Sequence, residues 1–302
     1  MVPLMFAHLR GRDLLALLAV YVIWGSTYYG MRLAFRELPQ LSGSGLRYFL
    51  AGLCLLIVLS ARGSAWPSLK QWLLAIPVGT LMFLAGNGVI AIVGRHIGSG
   101  LIAVVCATMP LWLAVIGQVR GERQTGTEWI AMCIGVLGVV VLAWRSELRA
   151  NPLMTALLLL APAGWAFGST LARHWPLAPG LMSGATQMMA GGAVMMICGF
   201  LFHDEHLPTQ VSGTAIAAFF YLLVFGSLIG FSAYTYLLRN VRPALAVSYA
   251  YVNPVFAVLL GATIGGETIK PEAWIATFLI VAAVVLATRP PGPVSGSTTS
   301  EV

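Results

Sequence analysis

Residues 14–35 read LLALLAVYVIWGSTYYGMRLAF, an apolar run of about 22 residues that ends at Met31-Arg32-Leu33. A run of this length suffices for an α-helix to cross the hydrocarbon core of a bilayer. Arg10 and Arg12 precede it, but the run is longer than the hydrophobic region of a cleaved signal peptide. We therefore interpret it as an uncleaved first transmembrane helix that follows a cytoplasmic N-terminus over residues 1–13.

The composition of the chain indicates that its environment is a lipid bilayer. Of the 302 residues, 59% are hydrophobic and 9% are charged, whereas about 25% of the residues of an ordinary soluble domain are charged. The net charge of +7 comes from basic residues scattered singly between apolar segments, without the stripe that binds nucleic acid. We therefore expect a polytopic membrane protein that has no nucleic acid among its partners.

Further apolar runs divide the chain into ten predicted transmembrane spans joined by short connections, so that consecutive spans are antiparallel neighbours. The approximate bounds of these spans are 14–35, 42–61, 72–94, 97–119, 128–144, 153–172, 180–202, 214–238, 244–264 and 273–288. The sequence thus predicts an all-α integral membrane fold. Residues 289–302, rich in Pro, Gly, Ser and Thr, are predicted to form a disordered cytoplasmic tail.

The Lys and Arg residues outside the predicted spans indicate how the chain is oriented. Ten of them fall on the side that holds both termini, against five on the opposite side. Because cytoplasmic loops carry an excess of basic residues, both termini are predicted to lie in the cytoplasm.

The two halves of the chain resemble each other at an offset near 144 residues. Trp24–Thr27 (WGST) corresponds to Phe167–Thr170 (FGST), and Met109-Pro110 corresponds to Asn253-Pro254. Each half holds five spans, an odd number, so the second copy is inverted relative to the first. We predict two inverted five-helix repeats over 14–144 and 153–288. This architecture is typical of secondary transporters, whose substrate site lies at the repeat interface.

Polar and aromatic side chains inside the spans are candidates for a substrate site, because polar groups are costly in lipid. Trp24 and Tyr28 lie on one stripe of the first span, which could equally pack against a neighbouring helix or form an interfacial belt. The complete set of candidate cavity residues is Trp24, Thr27, Tyr28, Asn87, Thr108, Met109, Trp165, Ser169, Tyr234, Tyr249 and Asn253.

Two arginines and two prolines inside the spans carry further hypotheses. Arg32 and Arg47 lie toward the non-cytoplasmic ends of their spans, where each either extends to the interface or pairs with a substrate carboxylate or a helix end. Pro110 and Pro254 leave backbone carbonyls without a donor and are therefore candidate hinges, although static bends are equally common.

Several residue types that other functions require are missing from the spans. No Asp or Glu lies in the middle of a span, which argues against proton-coupled cation efflux through a membrane-embedded carboxylate. No His lies in a span to act as the base of an intramembrane enzyme, and no nucleotide-binding GxxxxGK[ST] motif occurs. The pair His203 and His206 stands in a loop without a further Cys or His. We predict no catalytic residue, no metal site and no cofactor.

The stretches Tyr21–Tyr28, Gly45–Gly52 and Ser248–Pro254, with Gly265–Glu267 after the ninth span, resemble EamA-type members of the drug/metabolite transporter superfamily. The resemblance covers essentially the whole chain and is greatest to the YedA- and YddG-like exporters of the bacterial inner membrane. It implies a secondary transporter that exports small metabolites, with amino acids as the leading class, by alternating access through a central cavity.

The resemblance leaves the substrate open, because the superfamily also serves nucleotide sugars, sugar phosphates and drugs. One alternative function is the efflux of cationic compounds or of many drugs. A non-transporting membrane protein and an intramembrane enzyme are alternatives from other classes. The expected partners are a small-molecule substrate and the lipid bilayer, and the expected functional unit is a monomer.

Overall fold

A computed structural model describes residues 10–121, 126–145, 152–203, 210–241, 243–264, 266 and 271–287. This part of the chain is helical and contains no β-strand. The predicted tail and the first nine residues lie outside the described residues, as do positions 204–206 of the loop that holds the histidine pair.

The described residues form ten helical units, α1 to α10, in chain order. Their bounds are α1 Gly11–Ala34, α2 Gln40–Ala61, α3 Leu69–Val93, α4 Ser99–Val119, α5 Gly126–Arg145, α6 Pro152–His174, α7 Leu181–Leu201, α8 Gly213–Asn240, α9 in two segments, Pro243–Ala246 and Tyr249–Thr263, and α10 Pro271–Ala287. Seven of them, α1–α4 and α6–α8, are long and apolar enough to cross a membrane. The all-α membrane fold is therefore confirmed, and for α5, α9 and α10 the crossing stays a prediction.

Helices α2 and α7 pack along each other and join the two repeats. Their contact depends on small residues, since a Cβ at Gly45 would lie 2.7 Å from the carbonyl oxygen of Gly192. A Cβ at Gly192 would in turn lie 2.6 Å from the backbone nitrogen of Phe49. In lipid the hydrophobic effect does not drive helices together. Van der Waals contact drives their association instead, and small residues allow the backbones to approach closely enough for it. Helices α5 and α10 also pack against each other, one from each repeat.

Helices α3 and α8 are structural counterparts in the two repeats. Each begins after a serine cap: Ser68 accepts a hydrogen bond from the amide of Gln71, and Ser212 accepts one from Ala215. Each continues through a π-helical segment, Thr80–Gly88 in α3 and Leu222–Phe231 in α8. The sequence correspondence between the halves therefore extends to local backbone geometry.

The direction of these two helices shows that the repeats are inverted. The hydroxyl of Tyr236, near the end of α8, donates to Asp13 at the start of α1, and Ser212 before α8 contacts Glu37 after α1. Thus α8 runs antiparallel to α1. The guanidinium of Arg95, after α3, donates instead to the carbonyl of Phe35 after α1, so α3 runs parallel to α1. The counterparts α3 and α8 therefore point in opposite directions.

Helix α4 is interrupted near its middle, and helix α9 is interrupted near its start. In α4 the interruption falls at Ala107 and Thr108, directly before Pro110, which occupies the first turn of the following segment. Proline fits the first turn of a helix because its missing N–H has no intrahelical partner there. In α9 the interruption falls between Ala246 and Tyr249, and the helix then continues through Pro254. The break in α9 thus lies upstream of the proline that was predicted to mark it.

Candidate substrate site

A cavity lies between the two repeats, in the middle of the bundle and in the half away from the N-terminal end of α1. Its empty space is about 680 Å³ when the open mouth is included. Its walls come from α1–α4 of the first repeat and from α6, α8 and α9 of the second. The lining residues are Trp24, Thr27, Tyr28, Met31, Arg47, Tyr48, Gly86, Asn87, Ile90, Cys106, Met109, Ala161, Pro162, Trp165, Gly226, Phe231 and Tyr249.

The structure brings eight of the predicted residues to the cavity wall and places the others elsewhere. Those at the wall are Trp24, Thr27, Tyr28, Arg47, Asn87, Met109, Trp165 and Tyr249. Ser169 and Tyr234 lie directly behind the wall. Thr108 in α4 and Asn253 in α9 are also buried and do not line the cavity. Arg32 is half-buried and does not line the cavity.

Four aromatic rings from four helices close the cavity toward the N-terminal end of α1, and we call Trp24, Trp165, Tyr234 and Tyr249 the aromatic floor. The ring of Trp24 lies 5.5 Å from Trp165, 5.0 Å from Tyr234 and 5.1 Å from Tyr249, measured between centroids. Its contacts with Trp165 and Tyr249 are edge-to-face, the arrangement that the ring quadrupoles favour. Trp24 and Tyr234 each contact the three other rings of the floor.

Hydrogen bonds hold the floor in place. The indole nitrogen of Trp24 donates to the carbonyl oxygen of Gly226 over 3.1 Å, within the π-helical segment of α8. Ser169 donates to the carbonyl of Trp165 and lies 2.9 Å from the hydroxyl of Tyr234. Because a serine hydroxyl has one hydrogen, Tyr234 is the donor in that second bond. Two of the floor's four rings are therefore tied to other helices by their polar atoms.

Thr108 and Asn253, two of the buried candidates outside the wall, form hydrogen bonds with backbone carbonyls. The hydroxyl of Thr108 donates to the carbonyl of Val105 over 2.8 Å, at the interruption of α4. The amide nitrogen of Asn253, in its hydrogen-bonding orientation, lies 3.2 Å from the carbonyl oxygens of Tyr21 and Tyr249. An unpaired carbonyl at membrane depth costs several kcal/mol, so such bonds stabilise the broken helices.

Arg47 is 1% exposed and lines the cavity, so it does not extend to the interface. Its guanidinium carbon lies 4.1 Å from the centroid of the Tyr48 ring, a cation–π contact. Its Nη1 lies against Gly226, 3.5 Å from the place of a Cβ there. Its Nε and Nη2 have no hydrogen-bond acceptor among the described residues, and neither has the buried indole nitrogen of Trp165.

Polar contacts join the repeats at both ends of the bundle. At the end that holds the start of α1, Asp13 is 7% exposed and accepts from the hydroxyl of Tyr236 over 2.8 Å. At the opposite end, the carboxylate of Glu37 accepts from the backbone amide of Ser212 over 2.7 Å and from its hydroxyl over 2.8 Å. These bonds, the amide first, lower the pKa of Glu37 below its ordinary value.

Nine lining residues are not in the set of candidate cavity residues predicted from the sequence. They are Met31, Tyr48, Gly86, Ile90, Cys106, Ala161, Pro162, Gly226 and Phe231. Most are apolar, and apolar residues in lipid-facing and cavity-facing positions look alike in a hydropathy profile. Phe231 and Tyr48 carried a usable signal, since each neighbours a predicted residue on the same helix.

Comparison with known proteins supplies a family. The model of the EamA-like transporter family matches residues 12–144 and 153–289. The chain is 42% identical over 285 residues to the uncharacterized inner membrane transporter YedA of Escherichia coli (strain K12), covering 93% of each chain. It is 22% identical over 260 residues to the uncharacterized transporter YoaV of Bacillus subtilis (strain 168), covering 82% of this chain and 87% of YoaV.

A solved crystal structure of another protein has the same fold. It superposes with a TM-score of 0.65 at 20% sequence identity, covering 93% of this chain and 98% of the other. At this identity the likeness establishes the shared fold.

Proposed function

Because the chain belongs to the EamA-like transporter family, we propose that it is a secondary transporter that exports small metabolites across the bacterial inner membrane, with amino acids as the leading class. The observation that carries this proposal is the cavity between two inverted repeats, to which both repeats contribute polar and aromatic side chains. Such a site at the repeat interface is the place where transporters of inverted-repeat architecture bind their substrates.

The proposed mechanism is alternating access by a monomer whose two termini face the cytoplasm. In that orientation the aromatic floor and the contact between Asp13 and Tyr236 close the cytoplasmic end of the cavity. Export requires that this end opens to admit substrate while the opposite end closes. The repeats supply near-equivalent helices at the two ends, so an exchange of their conformations would reverse the opening.

We assign two roles to the residues of the site. Trp24, Thr27, Tyr28, Asn87, Met109, Trp165 and Tyr249 contact the substrate. Ser169, Tyr234, Thr108 and Asn253 position these residues or the broken helices, through the hydrogen bonds described above. Pro110 acts at the break in α4 as part of a hinge. Pro254 lies downstream of the break in α9, and we propose that it leaves the carbonyl of Ala250 free rather than forming the hinge itself.

Counterflow in proteoliposomes tests the function. The purified protein is reconstituted into vesicles loaded with unlabelled solute, and uptake of labelled solute is measured for neutral, aromatic and acidic amino acids, sugars and lipophilic cations. We expect counterflow of one or more amino acids, and none in vesicles without protein. Counterflow of lipophilic cations alone would assign the chain to cation efflux instead, and the absence of counterflow for every solute would contradict a transport function for this panel.

A further inference from the structure

We propose that the substrate carries a carboxylate and that the guanidinium of Arg47 binds it. This inference rests on the proposed transport function and narrows its substrate class from small metabolites to organic acids, including zwitterions such as amino acids. It also names a specificity-determining residue on α2, a helix whose main contact is the packing against α7.

The first argument is the cost of the buried charge. Arg47 is 1% exposed and lies inside a predicted membrane span. Among the described residues no carboxylate pairs with its guanidinium, whose carbon lies 4.1 Å from the centroid of the neutral Tyr48 ring. A buried cation without an anion is strongly unfavourable, because desolvation is not offset by a counter-charge. Ionisable residues in such positions of membrane proteins mark substrate or ion pathways. The cavity beside Arg47 is where a counter-charge can enter.

The second argument is the balance of donors and acceptors. Nε and Nη2 of Arg47 and Nε1 of Trp165 are buried donors without acceptors in the described structure, and both residues line the same cavity. Buried polar groups are nearly always paired, so unsatisfied donors point to a missing acceptor. A carboxylate supplies two acceptor oxygens in the geometry that a guanidinium binds with two parallel hydrogen bonds.

The third argument is the charge of the wall. Of the residues that line the cavity, Arg47 is the charged one, and none is Asp or Glu. A cationic solute would therefore meet a like charge with no acid to offset it. The ammonium of a zwitterion would still have the faces of the floor rings, which attract cations.

The fourth argument is the comparison of the two repeats. The position on α7 that corresponds approximately to Arg47 is Gln187, whose side-chain amide donates to Ser183 over 2.6 Å. That site is buried, neutral and paired. The packing of α2 against α7 therefore tolerates a neutral residue at the position of Gln187. Packing by itself thus does not explain why the corresponding position 47 is an arginine.

The test compares carboxylates with their amides in wild-type protein and in variants at position 47. Phenylalanine is compared with phenylalaninamide, and 3-phenylpropionate with 3-phenylpropionamide, by counterflow and by quenching of the intrinsic tryptophan fluorescence. The second pair separates plain acids from zwitterions. We expect wild-type protein to prefer each transported or bound acid over its amide at least tenfold. Arg47→Gln should lose that preference, and Arg47→Lys should keep part of it, because lysine retains the charge but not the planar fork.

The control variant is Arg62→Gln, which removes an exposed arginine at the end of the same helix. It should match the wild-type protein in both assays. Thermal unfolding of Arg47→Met supplies a further readout. Since the substitution removes an unpaired buried charge, its Tm should equal or exceed that of the wild-type protein.

The inference and the proposed function fail in different ways. Equal binding of acids and amides by the wild-type protein, or an unchanged preference in Arg47→Gln, overturns the role of Arg47 and leaves transport intact. A fall in Tm for Arg47→Met also overturns it, since the guanidinium would then serve packing. Counterflow of no solute contradicts transport, and the fluorescence titration still decides whether Arg47 binds a carboxylate.

Discussion

At the scale of single residues, the cavity is organised around Trp24. Its ring contacts the three other rings of the aromatic floor, and its indole nitrogen reaches the carbonyl of Gly226 on α8. A side chain this large can lie so close to α8 only because the helix presents a glycine there. A Cβ at Gly230 would lie 2.6 Å from the indole nitrogen of Trp24.

Gly230→Ala should displace Trp24 and break its bond to Gly226. We expect a reduced rate of counterflow and a loss of stability of about 1–3 kcal/mol, the usual cost of overpacking a tight contact. Thermal unfolding and counterflow measure both. Gly213→Ala, in the same helix, is the matched control, because a Cβ there meets no atom within 4 Å. Equal behaviour of the two variants would show that the contact with Gly230 does not position Trp24.

Tyr234→Phe keeps the ring in the floor and removes its hydroxyl. Ser169 keeps its own bond to the carbonyl of Trp165, so the loss is one buried hydrogen bond. We expect a decrease of about 1 kcal/mol in the free energy of unfolding, measured by chemical denaturation. Tyr29→Phe serves for comparison, because the hydroxyl of Tyr29 makes a long, exposed contact of 3.4 Å with the carbonyl of Ile264. The decrease in the free energy of unfolding of this variant should be too small to detect.

At the scale of helices, α8 is held to α1 at both ends. Its beginning contacts Glu37 and its end contacts Asp13 through Tyr236. Between these contacts lies the π-helical segment, in which the carbonyl of Gly226 accepts a hydrogen bond from Trp24. Such π-helical turns occur often at functional sites, and here one connects the cavity wall to the two end contacts.

The contact at Glu37 should depend on pH. Hydrogen bonds from Ser212 lower the pKa of Glu37, so the ionised carboxylate is the form that the fold stabilises. Its contribution to stability is complete above the ordinary pKa of glutamate and is lost as the pH falls through the lowered pKa. Thermal unfolding of wild-type protein and Glu37→Gln between pH 3 and pH 7 tests this.

The difference in Tm between the two proteins should be constant near neutral pH and should shrink in acid. Because other carboxyl groups titrate equally in both proteins, the difference isolates Glu37. A difference in Tm that stays constant down to the lowest pH would show that the hydrogen bonds from Ser212 do not stabilise the ionised form of Glu37.

At the scale of the whole molecule, two inverted repeats surround one cavity. The counterparts α3 and α8 share a serine cap, a π-helical segment and a terminal arginine, Arg95 or Arg239. Each arginine donates to carbonyls of the loop between the first two helices of its own repeat, at Phe35 or at Ala178. Each repeat therefore carries the same internal clamp, and the two clamps lie at opposite ends of the bundle.

Alternating access predicts that the cavity can be reached from both sides of the membrane. Thr27→Cys, introduced into a chain whose four native cysteines are replaced, should react with a membrane-impermeant thiol reagent in right-side-out and in inside-out vesicles. Thr186→Cys, a buried threonine that does not line the cavity, should react in neither. Reaction of the cysteine at position 27 from one side only would contradict alternating access.

Much of the fold could be predicted from the sequence because it follows from local properties. In lipid every backbone polar group must be paired within the element, so an apolar run of sufficient length has to be a helix. The repeat, too, could be predicted, because Trp24–Thr27 with Phe167–Thr170 and Met109-Pro110 with Asn253-Pro254 stand at a nearly constant offset. The site was predicted in part: Trp24, Tyr28, Asn87 and Trp165 are at the wall, where polar or large aromatic groups inside a span are expected.

Tertiary structure alone decided how each helix is rotated about its axis. Hydropathy does not distinguish a face toward lipid from a face toward a cavity, whereas close packing at Gly45 and Gly192 fixes the rotation of α2 and α7. That rotation turns Arg47 into the cavity. The equivalent choice in α4 and α9 turns Thr108 toward a carbonyl of α4 and Asn253 toward carbonyls of α1 and α9. The sequence by itself thus determined a duplicated, inverted, all-α membrane fold. Which of its polar residues face one another across the cavity depends on helix packing between residues far apart in the chain.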